Sequence, residues 1–128
     1  MKNLLWVTLI LMGGAACSNP TLEEMASLAA KGYYDHLIRG EYEQFLEGKA
    51  GADSLPESYR EQLLTSYKQF MAFQNKAHHG IHEVRISRAS TDTAQHLTSV
   101  FLVLCYGDSV NEEIVVPMVQ QDHGWRMK

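Results

Sequence analysis

Six histidines are the first residues in this 128-residue chain to suggest chemistry, and three of them fall within five positions: His78, His79 and His82, with His36, His96 and His123 elsewhere. Imidazoles that close together invite a metal reading. A helical zinc site sets two histidines four apart on one face, but Gly80 breaks the chain between His78 and His82, and no acidic or cysteine partner follows at zinc-site spacing. The expectation is therefore no metal and no cofactor. His78 and His79 instead suit the end of a helix, where the macrodipole favours a cation. His82 is in phase with Val84 and Ile86, which predicts an inward imidazole. That makes it the one candidate base, against the plainer reading of a hydrogen-bonded core histidine. Tyr33, Tyr34, His96, Tyr106 and Trp125 are the other side chains suited to lining a pocket. Nucleophile motifs are missing, with no G-x-S-x-G, no S-x-x-K and no glycine-rich phosphate loop. Cys105 ends the apolar run VFLVLC and reads as a small buried hydrophobe rather than a reactive thiol.

The elements that must carry these residues are punctuated clearly. Thr21 and Glu24 have the spacing of a capping box in front of Leu22, and Leu22, Met25, Ala29, Tyr33 and Leu37 then recur at helical steps until Gly40. Residues 41–46 repeat the device in miniature, stopped by Gly48. Ser54-Leu55-Pro56-Glu57 opens a third helix over residues 56–77, with Tyr59, Leu63, Tyr67, Phe70, Met71 and Gln74 as its stripe and Gly80 as its end. From there the period changes to two, and residues 81–88, 95–106, 112–120 and 125–128 read as four strands joined by turns. The fold class is α+β, with N-terminal helices against an antiparallel four-stranded sheet. Residues 100–105 and 114–119 are apolar at both parities, which predicts cover on both faces, one by the helices and the other by a second copy of the chain. A homodimer is therefore one expectation. Pro117 cannot donate to a ladder and should mark a bulge or an edge.

At 45% hydrophobic and 20% charged, the composition is that of one globular domain and excludes disorder. Eleven Lys and Arg against fifteen Asp and Glu give a formal charge of −4, which excludes an electrostatic grip on nucleic acid or anionic lipid. Residues 1–3 are a short positive region, 4–12 are apolar, and Gly13-Gly14-Ala15-Ala16 leads into Cys17. This is the layout of an export signal, since a membrane-spanning helix needs roughly 20 apolar residues. The run ending at Cys17 resembles the lipobox of bacterial lipoproteins, which implies cleavage before Cys17, diacylation of its thiol with palmitate-type chains and acylation of the new amino group. Gly14 stands where an aliphatic residue is commonest, so a soluble secreted protein cut nearby is the alternative. The expected division is a signal over residues 1–16, a lipidated tether over 17–20 and one domain over 21–128. The expected location is the cell envelope, at the outer membrane, with the membrane as partner through the anchor.

The helix-glycine-helix opening YYDHLIRGEYEQFL of residues 33–46, the lipobox and the terminal Asp122-His123-Gly124-Trp125 strand together resemble the small lipoproteins of Bacteroides-type bacteria with a nuclear transport factor two-like (cystatin-like) fold. That resemblance implies a cone, with helices over the concave face of a curled sheet and a cavity at its wide end. Enzymatic members of the superfamily generally set an Asp or His base beside a Tyr or a second acid within the cone. Here His82, His96, Tyr33, Tyr34 and Tyr106 come nearest to that set, with no inward Asp. The leading expectation is a non-enzymatic, lipid-anchored protein that binds a small molecule, a peptide or an envelope partner through the cone or a sheet face. The alternatives are a small isomerase or dehydratase with His82 as base, and a structural dimerisation module.

Overall fold

The computed structural model describes residues 19–121 and 124–128. The expected export signal over residues 1–16, the expected lipidation site Cys17 with Ser18 of the tether, and Asp122 and His123 of the last turn lie outside the described residues.

Helix α1 spans Leu22–Ile38 and begins where its capping residues dictate. The Thr21 hydroxyl accepts from the Glu24 amide at 3.1 Å, and the Glu24 carboxylate accepts from the Thr21 amide at 2.8 Å, so two amides that the helix leaves unpaired are satisfied. Its buried stripe is turned from the expected one. Ala26, Ala30 and Leu37 are buried, Met25, Ala29 and Tyr33 are half-buried, and Leu22 is 48% exposed. Alanines take the central positions because α1 lies across the sheet, where small side chains let a helix backbone come close. Helix α2 spans Tyr42–Glu47, a 3-10 turn covers Ala52–Ser54, and α3 spans Glu57–His78. Pro56 stands just before α3, and His79 and Gly80 end it at positive φ, 60° and 85°.

Four strands follow, β1 Ile81–Asp92, β2 Leu97–Tyr106, β3 Asn111–Gln121 and β4 Gly124–Met127, in one antiparallel meander of order β1-β2-β3-β4. Strand β1 runs past its expected end at Arg88, because residues 89–92 stay in register with β2 and only residues 93–96 form the turn. It curls at two bulges. Ile81 pairs with Tyr106 and Glu83 with Cys105, leaving His82 unpaired, and a second shift between Ile86 and Arg88 leaves Ser87 unpaired. Val84, Val100, Leu102, Leu104, Val116 and Met118 form the inward face, and with Ala26, Ala30, Leu37 and Phe45 they make one core.

The outer face carries the remaining apolar residues of the two runs. Phe101 and Val103 are half-buried, Val115 is 52% exposed, and the Arg88 guanidinium sits 3.6 Å from the centre of the Phe101 ring. Pro117 stands where β4 runs out: its carbonyl accepts from the Lys128 amide at 2.9 Å, so its missing donor faces the open part of that edge. Beyond β4 the Gly48–Ala50 stretch adds a short parallel rung, with Met127 donating to Gly48 and Ala50 donating to Met127, each at 2.7 Å.

Candidate functional site

Pairing of β3 with β4 begins only at Met118, so among the described residues no strand pairs with the outer edge of the first half of β3. Helices α2 and α3 stand off from the sheet there, and a pocket of about 460 Å³ opens between them and the inward face. The C-terminal half of α1 contributes Tyr34 and Leu37, α2 contributes Phe45, and α3 contributes Ser66, Tyr67 and Phe70. Leu104, Glu112, Ile114 and Val115 close it from the sheet. The Phe45 ring stands nearly perpendicular to both tyrosine rings, 5.1 Å from Tyr34 at 83° and 4.8 Å from Tyr67 at 88°, so it packs edge to face rather than in a stack. Burial pushes the Tyr34 and Tyr67 phenols above the ordinary tyrosine range.

Among the described residues Glu112 is the only charged side chain on this wall, and it is held in place from behind. The Tyr106 hydroxyl donates to its Oε1 at 2.5 Å. Desolvation, then the bond to Glu112, pushes the Tyr106 phenol up to about 12, so it stays protonated and keeps donating. Tyr106 is itself clamped by His78, whose ring stacks on it at 4.4 Å and 27° and whose Nδ1 lies 2.8 Å from the Asp108 carboxylate. That hydrogen bond holds Asp108 below the usual carboxylate range. The β2–β3 turn is sewn to the end of α3 by two backbone bonds, Gly107 to Gly80 at 2.9 Å and Asp108 to His78 at 3.1 Å. Only glycine fits at 107, because a Cβ there would stand 2.4 Å from the His79 carbonyl oxygen. The two histidines at the helix end thus act through the hairpin they grip.

These helices over a curled meander, with a pocket between them, are an architecture already seen. The fold is NTF2-like. A crystal structure of a Campylobacter jejuni protein, provisionally described as an NTF2-like transpeptidase, superposes with a TM-score of 0.60 over 77% of this chain and 92% of that one, at 11% identity. No protein-family model matches the chain, and no curated protein matches it.

Within the NTF2-like frame the expected pocket residues separate. Tyr34 lines the pocket just described, and Tyr106 lies behind its wall, buried. His96 and Trp125 line a second pocket of about 460 Å³ at the opposite end of α1, together with Leu22, Thr91, Thr98 and Gln120. There the Thr91 hydroxyl bonds the Glu23 carboxylate at 2.5 Å and lies 3.0 Å from the Thr98 hydroxyl. Tyr33 ties α1 to β4, donating to the Trp125 carbonyl at 2.6 Å and accepting from Arg126 at 3.0 Å, with its ring packed over Gly48. His82 does not face the helices. As the unpaired residue of the first bulge it is exposed, because the extra residue restores the inward phase to Val84 and turns the imidazole to solvent. Among the described residues, no group of three or more His, Cys, Asp or Glu comes together at a metal-sized space.

Glu112, Phe45, Tyr67 and Phe70 were not among the expected site residues. The aromatic three stood in the apolar stripes of their helices, where they read as core. Glu112 had one available signal: it opens a strand at a position that pairs with the inward Leu104.

Proposed function

We propose that this is an envelope protein, anchored through acyl chains on Cys17, whose NTF2-like domain binds a small molecule with an apolar body and does not turn it over. The observation that carries the reading is the pocket at the C-terminal end of α1. Its volume of about 460 Å³ lies within the roughly 300–1,000 Å³ of small-ligand sites, and its walls are apolar with a few polar groups, Tyr34, Tyr67 and Glu112. The anchor rests on the signal over residues 1–16 and the cysteine that follows it.

Catalysis with His82 as base gains no support from an exposed imidazole on a bulge. The transpeptidase description of the Campylobacter protein would need a nucleophile here. Among the described residues, Cys105 is buried in the sheet, and the Ser66 hydroxyl donates to the Gln62 carbonyl at 3.0 Å. Dimerisation through the outer sheet face is the second reading, favoured by Val115 at 52% exposure beside half-buried Phe101 and Val103. Light scattering over a range of concentrations should then show a dimer that Val115→Asp dissociates, whereas a strict monomer contradicts it.

A fragment screen by saturation-transfer NMR tests the pocket. Hits on the wild type should vanish in Ile114→Phe, which fills the space, and weaken in Phe70→Ala, which removes a partly exposed wall without opening the core. Hits that survive both variants place binding elsewhere. The anchor is tested by palmitate labelling in cells, expected in the wild type and lost in Cys17→Ser; an unlabelled wild type contradicts it.

A further inference from the structure

The chemistry of that same pocket narrows its ligand. Tyr34, Phe45, Tyr67 and Phe70 put four aromatic rings on the wall, Phe45 standing nearly perpendicular to both tyrosines, and Glu112 adds one carboxylate to the same wall. Among the described residues that form the wall there is no Lys, Arg or His. A neutral apolar body filling this space would strip water from the carboxylate and return nothing, and an anion would be repelled by it. A cation with apolar substituents meets both demands, because the rings attract it through their negative faces and Glu112 supplies the counter-charge. Tyr106 holds one oxygen of Glu112 at 2.5 Å, so the carboxylate is fixed before any ligand arrives.

Resting on the binding reading above, we infer that the pocket takes a free organic monocation, an ammonium centre carrying alkyl substituents. The same ammonium chemistry occurs in phosphocholine lipid headgroups, but a phosphate beside the ammonium would be brought up against Glu112 on a chain with a formal charge of −4. The free cation is therefore the occupant.

Calorimetric titration of the full-length chain with choline, with its neutral isostere 3,3-dimethylbutan-1-ol and with dissolved phosphocholine tests the inference. Choline should bind severalfold or more tightly than the alcohol, as a partly exposed cation–π site requires, and phosphocholine should bind more weakly than choline. Glu112→Gln, at an exposed strand position, should erase the preference for choline. Tyr67→Leu keeps an apolar wall but removes a ring, and should weaken choline while sparing the alcohol. Equal binding of choline and alcohol overturns the inference and leaves an apolar binding site. Phosphocholine binding as tightly as choline overturns it in favour of a lipid headgroup. If neither choline nor the alcohol binds while screened fragments do, the cation is wrong and the pocket stands; if fragments fail as well, the binding reading falls with it.

Discussion

The two ends of α1 each hold a pocket of about 460 Å³, yet their walls have little in common. At the C-terminal end, four aromatic rings and several aliphatic side chains surround one carboxylate. At the N-terminal end, Thr91, Thr93, His96, Thr98 and Gln120 stand around Trp125 and Leu22. The hydroxyls there are already spoken for, Thr91 bonding Glu23 and lying against Thr98, so much of that polar surface knits α1 to the sheet. At the other end the carboxylate is gripped from behind and open in front. Equal volume therefore says little about function; what separates the ends is whether the polar groups are turned on one another or left for a ligand.

The largest effect should come from the core that both ends share. Leu102 is fully buried at the centre of the sheet, and Leu102→Ala should cost about 3 kcal/mol by the large-to-small rule, seen as a lower urea midpoint. An unchanged midpoint would mean the two pockets do not rest on one core. Next comes the grip behind Glu112. Gly107→Ala drives a methyl against the His79 carbonyl and should cost about 2 kcal/mol, loosening the C-terminal pocket while the amides around Thr91 and Thr98 stay unmoved in an NMR spectrum. Equal disturbance at both ends would erase the distinction. Tyr33→Phe probes the tie between α1 and β4, where loss of the bonds to Trp125 and Arg126 should cost about 1 kcal/mol without weakening ligand binding.

Much of this architecture was legible because its punctuation is local. Thr21 and Glu24 close a capping box, Gly40 and Gly80 take positive φ at helix ends, and Pro56 sits before a helix, each acting through its own neighbours. The site was less legible because it depends on partners distant in sequence. His82 counts as inward by alternation, and only its pairing with β2 reveals the bulge that turns it out. Glu112 opens a strand among polar residues, and nothing nearby announces that Tyr106 bonds it or that four helical aromatics share its pocket. The stripe of α1 missed by one position, because closeness to the sheet favours Ala26 and Ala30 over the longer Met25.

The smallest effects are pH-dependent, and two of them belong to the C-terminal end. The bond from His78 depresses Asp108, so its contribution to stability is present above the ordinary carboxylate value of about 4 and is lost as pH falls through the lowered one. Asp108→Asn should flatten that acid limb in urea midpoints followed from neutral to acid pH. Tyr106 moves the opposite way: raised to about 12, its contribution holds below the ordinary tyrosine value of about 10 and fades as pH climbs between the two. Ultraviolet titration should show that the last phenol to ionise in the wild type is missing in Tyr106→Phe.

The most direct measurement maps the amides of the labelled protein while choline is added. The account predicts shifts gathered at Tyr34, Phe45, Tyr67 and Glu112, with Thr91, His96 and Trp125 unmoved. Shifts centred on Thr91, His96 and Trp125 would contradict it and move the binding site to the opposite end of α1.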